Sequence, residues 1–227
     1  MAGSFDTIPH RELLQSVGRR VMDRHVLHLV KMWLKVPVEE RDAHGQRRMS
    51  GGKHSTRGTP QGGVISPLLA NLYMHRFLRA WRQRGKGQQY RARLITYADD
   101  FVIVSRGQAA AALAWTRGVM GRIGLTLNDA KTSIRNARTE PFDFLGYTFG
   151  PDRYRKTGHW YLAAKPSKKS VQRVKAGVRA VLRPGHHARW PAVATDLNRR
   201  LRGWAAYFGY GTRVLAYRAI DHYVAEC

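Results

Sequence analysis

The chain has 227 residues, which allows one large domain or a domain with a smaller companion, and its composition is strongly basic. Lys and Arg number 40 against 15 Asp and Glu, which gives a formal net charge of +25 spread along the whole sequence. This charge favours a polyanionic partner. The single cysteine, Cys227, excludes an internal disulfide framework and a zinc site built on several cysteines.

The amino-acid sequence contains no membrane-spanning or export signal. No apolar run has the length of a membrane span, and the first residues contain no signal-peptide hydrophobic segment. We therefore expect no membrane partner and a cytoplasmic location, because a reducing compartment suits a chain with one cysteine.

The N-terminal part predicts helices and a basic connection. Apolar residues recur at helical spacing over residues 9–35 and predict two helices that break near Asp23. Residues 41–58 are polar, basic and rich in glycine, which indicates a loop or an irregular hairpin. The pair Ser66–Pro67, with Ser66 as the N-cap and proline at the first helical position, predicts a helix that runs to about Arg84.

The middle of the chain predicts a β-hairpin. Two short runs rich in β-branched and aromatic residues lie between Leu94 and Val104, and the polar pair Asp99 and Asp100 separates them. Adjacent carboxylates repel each other, and an opposing cation such as Mg²⁺ would relieve this repulsion. In so basic a protein the pair indicates metal-assisted phosphoryl chemistry on nucleic acid, with an ordinary Asp-Asp turn as the alternative. Residues 109–123 then predict another helix.

The C-terminal part predicts strands and then basic helices. Residues 142–149 and 160–163 predict strands separated by a polar turn, and from Ser167 onward the pattern is helical and very basic. We place a domain boundary between residues 1–164 and residues 165–227.

Five motifs follow one another along most of the chain. They are Gly-Thr-Pro-Gln-Gly-Gly-Val-Ile-Ser-Pro-Leu-Leu-Ala-Asn at residues 58–71, Tyr-Ala-Asp-Asp at 97–100, Gly-Leu-Thr-Leu-Asn at 124–128 with Lys131, Phe-Leu-Gly-Tyr at 144–147, and a helical set of Asn198, Leu201, Arg202, Gly203, Trp204 and Tyr207. In this order they resemble the reverse transcriptases encoded by group II introns. In that family they correspond to the Pro-Gln-Gly loop, the Tyr-x-Asp-Asp hairpin, the following palm motif, the primer-grip strand and the thumb helix.

The resemblance implies an α+β fold, a right-hand polymerase palm with a small antiparallel sheet backed by helices, followed by a helical thumb. It implies two Mg²⁺ ions, with Asp99 and Asp100 as catalytic and metal-binding residues. Implied nucleotide-binding residues are Phe5, Gln61, Gly62 and Lys131, and implied primer or template contacts are Tyr97, Leu145, Gly146, Arg199, Arg200 and Arg202. The implied partners are RNA, a DNA primer and a dNTP. Trp204 and Tyr207 are expected in the core of the thumb.

The first palm motif departs from the family pattern. Residues 5–10, Phe-Asp-Thr-Ile-Pro-His, match its end, and Phe5 falls on the aromatic that excludes a ribose 2′-hydroxyl in the family. The family's first metal-binding aspartate lies five positions earlier, one position before Met1. We therefore expect a partial chain, the C-terminal palm plus the thumb, with a missing N-terminal fragment and no polymerase activity of its own.

Three functions stay open. The first is an RNA-directed DNA polymerase of the group II intron type, present as a truncated and inactive chain. The second is a non-catalytic maturase remnant that binds RNA and assists intron folding or splicing, and the absent aspartate favours it for the isolated chain. The third is a related reverse transcriptase from a retron, a diversity-generating element or a CRISPR-associated locus. The Leu-Arg-Gly-Trp signature at residues 201–204 favours the intron type over this third class.

Overall fold

A computed structural model describes residues 7–41, 46–60, 63–98, 100–154, 156–182 and 189–227. The chain divides into two compact units, Met1–Ile134 and Arg135–Cys227, here called the N-terminal and C-terminal units. The predicted division after residue 164 concerns the palm and thumb of the family, and it stays a prediction.

The N-terminal unit contains five α-helices and two β-hairpins among its described residues. In chain order these are α1 His10–Gly18, α2 Arg24–Leu34, β1 Pro37–Arg41, β2 Arg47–Gly51, α3 Ser66–Gln83, α4 Lys86–Gln89, β3 Ala92–Tyr97, β4 Asp100–Ser105 and α5 Ala109–Arg122. The predicted break near Asp23 is confirmed, because its carboxylate caps α2 by accepting hydrogen bonds from the His25 and Val26 N–H groups at 2.7 and 3.3 Å.

The C-terminal unit combines one antiparallel sheet with three helices among the described residues. Its elements are β5 Phe142–Phe144, β6 Tyr147–Arg153, β7 Trp160–Pro166, α6 Lys168–Val181, α7 Trp190–Tyr207 and α8 Val214–Glu226. The strands lie in the order β5-β6-β7. The predicted α+β class is confirmed. In the part of the chain that the structure describes, no helix is both long and apolar enough to cross a bilayer.

One predicted strand is wrong. Residues 142–149 form not one strand but parts of two, β5 and β6, joined by a turn at Leu145 and Gly146. Both turn residues have positive φ, +50° and +77°, which is typical of the two-residue turns that match the twist of a hairpin. Leu145 is apolar and has a side chain, so the sequence does not mark it as a turn residue. The apolar residues on both sides of it therefore predict one continuous strand.

The core of the N-terminal unit is built around α3. Its buried residues recur three and four positions apart, as a helix with one apolar face requires: Leu69, Ala70, Tyr73, Met74, Phe77 and Trp81. The Phe77 side chain is fully buried, and its ring lies 5.4 Å from that of Phe101 and 6.2 Å from that of Trp115. The Tyr73 hydroxyl donates to the Ile123 carbonyl, and burial raises the pKa of Tyr73. This core fixes α3, α5 and the β3–β4 hairpin together.

We expect Phe77→Ala to lower the free energy of unfolding by about 3–5 kcal/mol, because it removes a fully buried ring from this core. Chemical denaturation followed by circular dichroism measures the change. Leu68→Ala is the control, since Leu68 lies on the same helix and is 58% exposed. Equal losses for the two variants would contradict this description of the core.

Candidate active site

The β3–β4 hairpin forms as predicted around the Tyr-Ala-Asp-Asp motif. The strands are antiparallel, and Tyr97 pairs with Asp100, so Ala98 and Asp99 are the two connecting residues. Ala98 has a φ of +50°, the positive sign that the first central residue of a two-residue hairpin turn adopts. Asp99 itself lies outside the described residues. The predicted two-residue turn at this position is confirmed.

One face of the hairpin packs on helices and the other is open. Side chains alternate along a strand, so Leu94, Phe101 and Ile103 share the inward face and contact the core cluster that α3 and α5 build. On the other face Ile95 and Tyr97 are 49% and 63% exposed. The predicted helical backing is confirmed. The turn that contains the aspartates therefore lies at the end of a two-stranded sheet that is packed on helices on one face and exposed on the other.

The carboxylates of this turn are only partly described. Asp100 is exposed, and the structure gives it no ion pair with another described residue. Its oxygen atoms suit a hard cation such as Mg²⁺. Across the described ranges no three His, Cys, Asp or Glu residues stand close enough to hold a metal ion, and Asp99 falls outside those ranges. Carboxylate oxygens are suitable ligands for Mg²⁺, and Asp100 alone provides only part of the coordination shell of such an ion.

The Pro-Gln-Gly loop is tied to the start of α3. The Ser66 hydroxyl donates to the Pro60 carbonyl at 2.6 Å. The prediction that Ser66 is the N-cap is wrong: Ile65 holds that position, and Ser66 is the first helical residue. A Cβ at Gly63 would lie 2.8 Å from the Ser66 hydroxyl, so a side chain here would have to displace that hydroxyl. Serine is used here to close the loop rather than to cap the helix.

The end of the first palm motif contacts the same loop. His10 Nε2 is hydrogen-bonded to the Gly58 carbonyl at 2.6 Å, and the Gly58 N–H donates to the Ile8 carbonyl at 2.8 Å. Two motifs about 48 positions apart in sequence are thus joined at the backbone.

Four predicted nucleotide-binding residues divide between described and undescribed parts of the chain. Phe5, Gln61 and Gly62 lie outside the described residues. Lys131 is described and exposed, in a turn closed by its N–H donating to the Asn128 carbonyl at 3.0 Å. The structure records no bond from Lys131 to the described part of the hairpin. The nucleotide-binding roles remain predictions.

In the C-terminal unit the turn at Leu145 and Gly146 is fixed by hydrogen bonds from other residues of the same unit. The Tyr207 hydroxyl donates to the Leu145 carbonyl at 2.9 Å. The Gly146 carbonyl accepts from the Ser167 N–H at 2.8 Å and from the Ser170 hydroxyl at 2.9 Å. Both turn carbonyls therefore already accept hydrogen bonds from within the C-terminal unit.

The three predicted arginine contacts lie exposed on α7. Arg199 and Arg200 both donate to the carboxylate of Asp196. Hydrogen bonds from Arg200 and then Arg199 lower the pKa of Asp196, so this carboxylate stays ionised and offsets part of their charge. Arg202 forms no ion pair with any described residue.

The expectation that both thumb aromatics are core residues holds for only one of them. The Trp204 ring is half-buried and lies 4.7 Å from the ring of Phe208 and 5.6 Å from that of Tyr217. Tyr207 is instead 57% exposed, so its assignment to the core is wrong. Sequence reasoning also missed Ser170 and the link from Tyr207 to Leu145, which spans 62 positions and leaves no local signal.

Two family profiles match this chain in sequence. The profile described as "Reverse transcriptase (RNA-dependent DNA polymerase)" matches residues 1–149. The profile described as "Group II intron, maturase-specific domain" matches residues 171–227. The first of these covers more than half of the chain.

Individual relatives agree with these profiles. Protein YkfC of Escherichia coli is 33% identical over 178 residues, which are 65% of this chain and 44% of YkfC. Group II intron-encoded protein LtrA of Lactococcus lactis subsp. cremoris is 36% identical over 74 residues, 32% of this chain and 11% of LtrA. The chain thus spans less than half the length of either relative.

A solved structure shares the fold. Telomerase from Candida albicans, in complex with the TWJ fragment of telomeric RNA, is similar with a TM-score of 0.52 and 15% identity, over 98% of this chain and 40% of that chain. At this identity the similarity shows the fold alone. Together with the two profiles and the ordered motifs, it shows that the chain belongs to the reverse transcriptase family and continues into a group II intron maturase-specific domain.

Proposed function

We propose that this chain is the C-terminal palm and the thumb of an RNA-directed DNA polymerase of the group II intron type, which copies RNA into DNA. The observation that carries the proposal is the Tyr-Ala-Asp-Asp turn at the tip of a hairpin braced by α3 and α5. A two-residue turn presents adjacent side chains at the end of a sheet, where a primer terminus and a nucleotide can approach them. Within this proposal the palm covers residues 1–164 and the thumb residues 165–227.

We assign the chemical roles as follows. Asp99 and Asp100 supply carboxylate oxygens at the hairpin tip, with Asp99 as the shared ligand. These carboxylates would hold two Mg²⁺ ions, whose chemistry would be to activate the primer 3′-hydroxyl and to stabilise the pyrophosphate leaving group. Lys131 offsets the charge of the triphosphate, and Phe5 bars a ribose 2′-hydroxyl. Gln61 and Gly62 contact the incoming dNTP from a loop that Ser66 anchors.

The proposed partners are an RNA template or intron RNA and a DNA primer. The net charge of +25 supports a polyanionic partner, and the exposed arginines of α7 offer phosphate contacts. Tyr97 and the Leu145–Gly146 turn are proposed as primer or template contacts beside Arg199, Arg200 and Arg202. The telomerase with the similar fold was solved with an RNA fragment, which agrees with this assignment. We place the activity in the cytoplasm.

A second candidate function is assistance to intron RNA folding or splicing without DNA synthesis. It is favoured by the match of residues 171–227 to the maturase-specific domain, a region that includes most of α6 and all of α7 and α8. This function requires RNA binding by the C-terminal unit and does not require the aspartate turn.

Primer extension tests the proposed function. The chain is preceded by the fingers and first palm strand of a group II intron reverse transcriptase, with an aspartate directly before Met1. This extended protein is expected to add dNTPs to a DNA primer on an RNA template in a Mg²⁺-dependent reaction. A folded extended protein that binds the primer–template yet adds no nucleotide would overturn the polymerase proposal and leave the maturase function.

A further inference from the structure

We propose that a groove between α6 and α7 binds a single unstacked nucleotide of an RNA strand, with the base against Tyr207 and the phosphate between Arg173 and Arg200. The inference rests on the proposed role of the chain as an RNA-binding protein and adds a defined site to it. The groove belongs entirely to the C-terminal unit.

The groove has the size of a small-ligand site. Its volume is about 460 Å³, within the range of about 300–1,000 Å³ common for small-ligand pockets. Arg173 and Gly177, four residues apart, line it from α6. Arg200, Trp204 and Tyr207 line it from α7 at positions i, i+4 and i+7, so they share one helix face. Two facing helix stripes therefore form its walls.

The polar groups left in the groove are hydrogen-bond donors. Arg173 is exposed and has no ion pair with any described residue. Arg200 uses its Nε atom for Asp196 at 2.9 Å, which leaves its terminal nitrogen atoms for another acceptor. Leu145 and Gly146 also line the groove, and their carbonyls already accept hydrogen bonds from Tyr207 and Ser170. A ligand rich in acceptors and carrying negative charge, such as a phosphodiester, fits this donor set.

Tyr207 provides a rigid aromatic surface in the same groove. Its side chain is 57% exposed although its hydroxyl is fixed on the Leu145 carbonyl at 2.9 Å. Its own carbonyl accepts from the Tyr147 hydroxyl at 2.9 Å, so the residue is held at both ends. An exposed ring that is already immobilised loses little conformational entropy when a ligand binds, so it is suited to stacking on a nucleobase. Nucleobase and phosphate can thus be held by adjacent groups.

Gly177 keeps the groove open in the middle of α6. Glycine inside a helix is less favourable than alanine, because it loses more backbone freedom on folding. A Cβ at Gly177 would enter the groove 3.7 Å from Nη1 of Arg200, an ordinary contact that needs no rearrangement. Alanine there would be compatible with the fold and would take up space beside the guanidinium group.

The test is equilibrium binding of a fluorescently labelled single-stranded RNA to the 227-residue chain. Arg173→Ala with Arg200→Ala is compared with Arg179→Ala and Arg218→Ala, two exposed arginines of α6 and α8 that do not line the groove. Both double variants remove two positive charges. We expect the groove pair to lose about tenfold more affinity than the control pair, because it removes local phosphate contacts in addition to general charge.

Two further variants test the shape of the site. Tyr207→Leu is expected to weaken binding about tenfold, whereas Tyr210→Leu, at a tyrosine that is 76% exposed and outside the groove, leaves it unchanged. Gly177→Ala is expected to weaken RNA binding, because the added methyl group narrows the groove. Alanine has a higher helix propensity than glycine, so this loss would not be caused by unfolding of the helix. Gly118→Ala in α5, where a Cβ meets nothing within 4 Å, is its control.

The outcomes separate this site from the proposed function. Duplex RNA has no unstacked base, so the groove double variant and the control double variant should lose the same affinity for duplex RNA. If a free nucleoside monophosphate displaces the strand as well as an unlabelled strand does, the occupant is a free nucleotide and the RNA proposal falls. Equal losses on single-stranded RNA would overturn the groove and leave RNA binding intact. No RNA binding by the parent chain would overturn both.

Discussion

The 227-residue chain alone will extend a DNA primer on an RNA template at least about 10³-fold more slowly than the extended protein that supplies an aspartate directly before Met1. Two-metal chemistry needs carboxylates from two places, and this chain provides the Asp99–Asp100 turn, while the family position of the other lies outside its 227 residues. Lost electrostatic stabilisation and lost nucleotide positioning both lower the rate.

The measurement uses both proteins side by side, at equal concentration and with the same primer–template. Template binding is measured in parallel, so that a bare chain that binds without extending reports lost chemistry rather than lost affinity. Robust extension by the bare chain would show that the first palm motif has been misplaced on residues 5–10.

RNA binding by the bare chain will fall steeply with salt. The chain carries 40 Lys and Arg residues against 15 Asp and Glu, so most of the binding free energy is expected from phosphate contacts that release counterions. The logarithm of the affinity should fall with the logarithm of the salt concentration by about 0.7 for each phosphate contacted on a single strand. With about 6–10 such contacts the affinity would fall by several powers of ten between about 50 and 200 mM salt.

Fluorescence anisotropy at a series of salt concentrations gives this slope directly. Two RNAs of equal length and different sequence serve as a control, and we expect nearly equal affinities because phosphate contacts carry no base information. An affinity that does not change between low and physiological salt would contradict an interaction based on charge.

The elements that the sequence predicted correctly are those with strong local signals. The β3–β4 hairpin combines β-branched runs with a polar turn, and α3 has apolar positions three and four residues apart together with an early proline. The break at Asp23 follows from a side chain that caps the next helix. In each case the residues that decide the structure lie within a few positions of each other.

Two of the predictions that were wrong, at Leu145 and Tyr207, concern residues whose environment is set by distant parts of the chain. The third, Ser66 as the N-cap, failed locally, because its hydroxyl donates to the Pro60 carbonyl instead. Leu145 adopts a φ of +50° in a turn whose carbonyls are held by Ser170 and Tyr207, 24 and 62 positions away from their partners. The helical spacing of Tyr207 predicts a core position, yet the residue is exposed and its hydroxyl donates to the Leu145 carbonyl. Spacing predicts which residues share a face and does not predict what covers that face.

The candidate site was predictable in its motifs and less so in its contacts. The order of the motifs identified the hairpin and the Pro-Gln-Gly loop. The bond from Ser66 to Pro60 and the contact between His10 and Gly58 required the folded chain, because each joins a side chain to a backbone carbonyl that no sequence pattern marks. The partial neutralisation of Arg199 and Arg200 by Asp196 likewise depends on side-chain geometry along α7.

Primer extension by the extended protein carrying Asp99→Ala tests most directly whether the β3–β4 turn is the catalytic centre. We expect the rate to fall by at least about 10³-fold, because the variant removes the proposed shared metal ligand while the hairpin keeps its strand pairing. Glu140→Ala, which removes an exposed carboxylate paired with Arg135, should keep the parent rate. An Asp99→Ala protein that extends the primer as fast as its parent would show that the chemistry takes place elsewhere.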